Sequence, residues 1–458
     1  MPADMTCCIM KKAARQKSKK TSTDLAQHIQ ATPLMDTHEH LRKESEYVQK
    51  GPDVLQDLFA HYIQSDLIVA GAPSDAVERL VDGSNPDLAG RFRGIQKAWE
   101  KCRFTGYGEA VRLIAKHTYG MDEITVKNIE GARDRNKQLR QPGERLRILK
   151  EVGNLDHMQI DDFCWACLPD KSGLDFFLYD LSWHTFCNGE VDLKAVEQEV
   201  QIEVQDIRTL GEAMNAIFAK HAGCAIAVKA QHAYDRTLRW EEREEADAER
   251  VLRKRVRGEA ITEAEKLCLG DWCWARGVEL AMEHNLPFKM HTGHYAGHGR
   301  MQMERIRSGH LCDLLIKYPQ ARFVLMHISY PYSDELVAMA KHFPNVYVDL
   351  CWAWSIDPFS ACDCVRRMIH AVPSNKLFAF GGDTFWPNLS VAFSIQSRQW
   401  LTRALQAEVN DGLLTEREAI FLATRLMRGN QEECFDLKGT RAAIASQAKR
   451  TGKTSKDI

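Results

Sequence analysis

The chain has 458 residues, 44% of them hydrophobic, with a formal net charge of -2. That length can bury the core of one large α/β domain or of two medium ones, and the balanced charge excludes a global bias toward nucleic acid. No run of eighteen or more apolar residues occurs, so no membrane span is expected.

Residues 1–23 carry six Lys/Arg and one acid, and residues 438–458 repeat that count. Both segments read as solvated, disordered basic tails flanking one domain at 24–437. The N-terminus has no apolar stretch of the kind a secretory leader needs. Fourteen cysteines scattered through a chain of this size read as reduced thiols, which places the expected protein in the cytoplasm. Cys164-Trp-Ala-Cys167 has redox-motif spacing but no second pair for a structural zinc, and with Cys362 and Cys364 it reads as core packing.

Short apolar runs near 33–38, 155–160, 175–181, 224–229, 287–291, 322–327, 345–350 and 377–382 predict strands, the second and third of which could also be helix or loop. Residues 41–150 are far more than one crossover needs, and predict a helical insertion placed as a lid over a barrel mouth. Residues 191–221 carry Val196, Val200, Val204, Ile207, Leu210, Met214 and Ile217 at helical spacing. Glu241–Glu259 reads as an exposed helix. Thr262-Glu-Ala-Glu265 opens another, which stops at Asn285-Leu-Pro287. Eight strands alternating with helices predict a closed parallel (β/α)8 barrel, a TIM barrel with its insertion after the first strand.

Barrel enzymes carry their reacting groups at the carboxyl ends of the strands. His38 and His40 stand two apart on the first strand, so their imidazoles share a face. Lys229, His291, His327 and Asp383 end later strands. An isolated strand-end histidine is usually structural, whereas six ligand-type side chains on five strand ends point to a metal site. Three imidazoles and a carboxylate suit zinc or a similar divalent ion with a position left for water. There is no G-x-S-x-G elbow, phosphate loop or H-E-x-x-H, and no strand-linked G-x-G-x-x-G for a dinucleotide.

Asp36-Thr-His-Glu-His40, His291-Thr-Gly, Phe323-Val-Leu-Met-His327 with Tyr330-Pro-Tyr, Asn345-Val-Tyr-Val-Asp349, Gly381-Gly-Asp383 and Arg428-Gly-Asn430 are spread over both halves of the chain. Together they resemble the amidohydrolase-related branch of the amidohydrolase superfamily, with some likeness to uronate isomerases. The resemblance implies one divalent ion, zinc foremost and manganese admissible, or two ions bridged by a carboxylated Lys229. It makes His38 and His40 the first-strand ligands, His291 the fifth-strand ligand, and Asp383 a ligand, general base or both. His327 becomes the polarising or proton-transferring imidazole. An uncarboxylated Lys229 would anchor a substrate carboxylate or carbonyl; a lysine paired with an internal carboxylate is the alternative.

His294 and His298 follow on a glycine-rich loop, as substrate contacts or as surface residues, and Arg300 offers a planar fork to an acidic group. Trp352 could wall the pocket or pack beneath the lid, and Trp386 has the same two readings. The expected activity is hydrolysis of an amide, lactone or related bond in a small acidic substrate by activated water. Non-oxidative decarboxylation and uronate isomerisation would use the same ligands, and a barrel that only binds is the non-enzymatic alternative. The expected partner is a small molecule, without nucleic acid or membrane; a homo-oligomer is admissible.

Overall fold

A computed structural model describes residues 23–450. Eight parallel strands follow one another in sequence order: β1 (Leu34–Glu39), β2 (Leu155–Ile160), β3 (Phe177–Ser182), β4 (Ala225–Ala230), β5 (Phe288–Met290), β6 (Phe323–Leu325), β7 (Val346–Asp349) and β8 (Leu377–Phe378). Every residue of β1, β3 and β4 is buried, as expected of parallel strands covered on both faces. The register places Ser182 beside Lys229, and Lys229 beside Lys289.

Backbone hydrogen bonds close the ring between β1 and the segment after β8. Thr37 N–H donates to Phe380 O (3.1 Å), Asp383 N–H to His38 O (2.9 Å) and His40 N–H to Thr384 O (2.9 Å). Gly381 and Gly382 make that approach possible. A Cβ on Gly381 would stand 2.8 Å from Thr37 Oγ1 and from Cys351 Sγ, and one on Gly382 would stand 2.0 Å from Glu39 Oε1. Only glycine leaves the seam room to form.

Ten short α-helices lie between β1 and β2, from Glu44–Lys50 to Glu144–Arg147. They bury their own apolar set, including Leu55, Leu58, Phe59, Ile63, Leu67, Phe92 and Trp99, continuous with the main core. Local chemistry starts and stops them. Asp53 and Gln56 form a capping box, Thr105 caps the helix Gly106–Tyr119, and Gly120 ends it at φ 66°. That helix packs on Pro387–Asn410, the helix after β8, which fastens the insertion to the barrel.

Several expectations change. The pattern over 191–221 is two helices, Leu193–Val200 and Ile207–His221. Gln201 takes a left-handed φ of 58°, and Asp206 with Thr209 starts a new helix through a capping box. The helix within 241–259 runs Glu245–Val256 and buries Ala248, Val251 and Leu252, so only part of its surface is exposed. The segment expected as a C-terminal tail is helical over Leu437–Arg450. There Leu437 and Ile444 join Met35, Leu178, Ile226, Val324 and Phe378 in a second core, and Thr440 and Arg441 hydrogen-bond the carbonyls of Ala225 and Asp175. Its lysines and arginines masked a helix that plugs the floor of the barrel. Residues 1–22 and 451–458, the rest of the expected tails, lie outside the described residues. The helix Glu263–Glu283 starts as expected, with Thr262 and Glu265 forming a capping box. Cys167 is buried as expected, but Cys164 is exposed.

Candidate metal centre

The seam that closes the barrel also assembles the site. Because Asp383 N–H is bonded to His38 O, the Asp383 side chain is delivered to the mouth between the two first-strand imidazoles. Its Oδ1 stands 3.4 Å from His38 Nε2 and 3.4 Å from His40 Nε2. His38, His40 and Asp383 each offer one ligand atom within 4.8 Å of the others, and all three are buried. Asp383 (φ 58°), His327 (φ 62°) and Trp352 (φ 60°) all hold left-handed backbone conformations at this mouth. Such conformations cost roughly 1–3 kcal/mol each and collect at functional sites.

The far side of each ring fixes which nitrogen faces the centre. His40 Nδ1 donates to Asp161 O at 2.6 Å, so in the neutral ring Nε2 turns a lone pair toward Asp383. His327 Nδ1 donates to Cys351 O at 3.0 Å, which leaves its buried Nε2 without a partner, 3.8 Å from Asp383 Oδ2. His38 Nδ1 faces Asp180 Oδ2 at 3.9 Å. Asp180 is itself held by Lys289, whose ammonium also donates to Thr37 O. Burial, with Lys229 nearby, pushes His38 well toward the neutral imidazole; burial likewise lowers His327 to about 4. Burial opposes the charge on Asp383, yet its hydrogen bond to His38 and the surrounding imidazoles hold it well below the usual carboxylate range. Imidazole nitrogens and a carboxylate sharing one small volume form a donor set that a divalent cation fits.

The other expected residues fall into three groups. His291 is beside the cluster rather than in it: its ring packs 4.4 Å from that of His327, and its Nε2 donates to His294 O at 3.0 Å. The turn through Gly293 (φ 73°), where a Cβ would meet the backbone of Ser329 and Tyr330, brings that carbonyl back. Lys229 is fully buried with its Nζ 3.3 Å from His38 Nε2, and it lines neither cavity described below. Trp352 also lines neither; it is buried under Tyr62 and Tyr107, with His294 and His327 against it. His294 and the exposed Arg300 line a cavity of about 220 Å³, and His298 borders both that one and a larger neighbour.

The larger cavity, about 490 Å³, lies between the insertion and the barrel mouth. Gln56, Asp57, His61, Tyr62, Gln64 and Glu78 come from the insertion, and Asp383, Phe385 and Trp386 from the loop after β8. Tyr62 OH donates to the backbone carbonyl of Asp383, tying the insertion directly to the site. Phe163 stacks on His40 at 4.5 Å. Neither was expected from sequence, because neither sits at a strand end. Asp36 and Glu39 were hidden inside the histidine motif; Asp36 Oδ1 accepts from His38 N–H and Gly382 N–H, bracing the seam. Lys289 carried a readable signal, two positions before His291 on the same strand face.

Comparison with known proteins agrees with this architecture. A family model described as amidohydrolase matches residues 200–423. Uronate isomerase from Thermotoga maritima superposes with a TM-score of 0.75 at 16% identity, covering 90% of this chain and 96% of that one. Glucuronate isomerase from Caulobacter crescentus gives 0.74 at 17% identity, covering 90% and 92%. A candidate metal-dependent hydrolase from Lactobacillus casei gives 0.61 at 14%, covering 90% and 98%. Protein fluG of Emericella nidulans is 26% identical over 254 residues, 51% of this chain and 29% of that protein, so the chain spans well under two thirds of this relative. Residues 200–423 carry the likeness to the amidohydrolase family, and the barrel as a whole is like that of the uronate isomerases. No helix among the described residues is long and apolar enough to cross a membrane.

Proposed function

We propose that this chain is a metal-dependent hydrolase that cleaves an amide, lactone or related bond of a small molecule. The observation that carries the reading is the convergence of His38 Nε2, His40 Nε2 and Asp383 Oδ1 beneath a lidded cavity. His38, His40 and Asp383 would hold the cation, which when bound acidifies water and polarises a carbonyl. Asp383, kept charged, accepts the proton of the attacking water and returns it to the leaving group. His327 in its present tautomer can accept a proton at Nε2; the expected polarising role needs a proton there, which burial opposes. Tyr62 and the insertion helices exclude bulk water.

The cavity wall argues for a neutral or cationic substrate instead of the acidic one expected. Asp57, Glu78 and Asp383 line it, with no lysine or arginine among the described lining residues. A uronate would bring its carboxylate to Glu78 and Asp383, with Asp57 part-protonated near neutrality. The isomerase reading draws its support from fold likeness across 90% of the chain, insertion included, and fold alone does not transfer a substrate. Turnover of a panel of neutral and amine-bearing amides and lactones in ¹⁸O-labelled water tests the proposal. Label in the product acid supports hydrolysis. Release of CO₂, or interconversion of sugar acids without label, overturns it.

A further inference from the structure

We propose that Phe163 is a positioning residue for His40: its ring sets the plane of the imidazole, so that Nε2 faces Asp383 before any cation arrives. The proposal rests on the reading of His38, His40 and Asp383 as metal ligands. The two rings stand 4.5 Å apart between centroids, with planes only 5° from parallel. Phe385 adds a looser face at 5.5 Å and 21°. Rotation of a histidine ring about its bond to Cβ is otherwise broad. The single hydrogen bond from Nδ1 to Asp161 O holds one edge of the imidazole and lets the ring rock about that contact. A flat aromatic face laid against it removes the rocking.

The turn after β2 makes this contact from one residue. Asp161 N–H donates to Glu39 O at 2.9 Å, which ties the turn to β1 immediately before His40. Asp161 O accepts from His40 Nδ1, and Asp161 Oδ1 accepts from Phe163 N–H at 3.0 Å. Asp161 thus grips the edge of the imidazole with its carbonyl and steers the phenyl onto its face with its carboxylate. Phe163 reaches that place through a left-handed φ of 63°, a conformation that costs a bulky residue about 1–3 kcal/mol. Its side chain is left 52% exposed, so burial of apolar surface offsets little of that strain. A strained aromatic ring standing half in water is accounted for by what it touches, and it touches His40.

Phe163→Gly removes the ring and leaves the turn unforced, because glycine adopts a positive φ without strain. Zinc affinity of the full-length protein, measured by competition with a chelator, should fall by about 10–100-fold, the range for groups that orient a ligating imidazole. Phe163→Trp should keep near-wild-type affinity, whereas Phe163→Leu, apolar but not flat, should lose it. In metal-free protein with histidines ¹³C-labelled at Cε1, the resonance that disappears in His40→Ala should lose its ring-current shift in Phe163→Gly. Equal zinc affinity in wild type and Phe163→Gly, an unmoved His40 resonance, or a leucine variant that binds as well as the tryptophan one overturns the proposal and spares the metal centre. A wild-type protein that takes up no zinc overturns the metal centre and the proposal with it. Should Phe163→Gly fail to fold, the leucine and tryptophan variants carry the same comparison at equal backbone strain.

Discussion

The β1–β8 seam and the insertion of residues 44–152 meet at the same cavity but are held there by different forces. The seam is a set of backbone hydrogen bonds between Thr37, His38, His40 and the segment Phe380–Thr384, so its ligands are fixed by the closure of the barrel itself. The insertion is held by apolar burial and a few polar ties, of which Tyr62 to Asp383 reaches the site. What differs is tolerance: the seam cannot change without opening the ring, whereas the insertion can vary the cavity wall while the ligands stay in place. On the proposed function, chemistry belongs to the seam and selectivity to the insertion.

The largest effect should come from the seam. Asp383→Asn in metal-loaded protein should lower kcat by roughly 10²–10⁴, the range of a lost general base, and a variant with near-wild-type turnover would remove Asp383 from the chemistry. Phe59→Ala, inside the insertion, should destabilise by about 3–5 kcal/mol as a large buried aromatic is lost. It should leave metal content unchanged, as measured by thermal unfolding alongside metal analysis; a parallel loss of metal would erase the contrast between the two regions. Tyr62→Phe should destabilise by about 1–3 kcal/mol, read by thermal unfolding, because it strands the Asp383 carbonyl.

The smallest effect is a pH dependence confined to the insertion. Asp57 is buried with one carboxyl oxygen unpartnered while Tyr119 and Asn388 donate to the other, and burial raises it to about 7. A carboxyl whose folded pKa exceeds its unfolded value of about 4 binds its proton more tightly in the folded state. Its stabilising contribution is complete below about pH 4 and is lost as pH rises through about 7. Asp57→Asn should flatten the fall in Tm between about pH 4 and 7, and an unchanged slope would show that Asp57 is not its source.

Most of the barrel was legible because a parallel strand writes a short apolar run and a strand end writes a polar residue. All eight runs are strands, and His38, His40 and Asp383 come together as the pattern implied. What was not legible depends on three-dimensional return. The strand-end pattern marks His291 but does not show that the Gly293 turn brings the His294 carbonyl onto its Nε2. Cys351 looks like one reduced thiol among many, yet Gly381 draws it to the site. Tyr62 and Asp57 stand on short helices or at their ends with no motif, and only the docking of the insertion reveals them. The terminal helix was hidden by its charge, since two apolar positions, Leu437 and Ile444, suffice to plug a barrel floor.

The most direct measurement is the metal content of purified full-length protein beside that of His40→Ala, with X-ray absorption to identify the ligands. The account predicts at least one tightly held divalent ion in the wild type, coordinated by imidazole and carboxylate, and the loss of one equivalent in the variant. A wild-type protein that takes up no divalent ion after reconstitution, or a variant that retains the full complement, would contradict it.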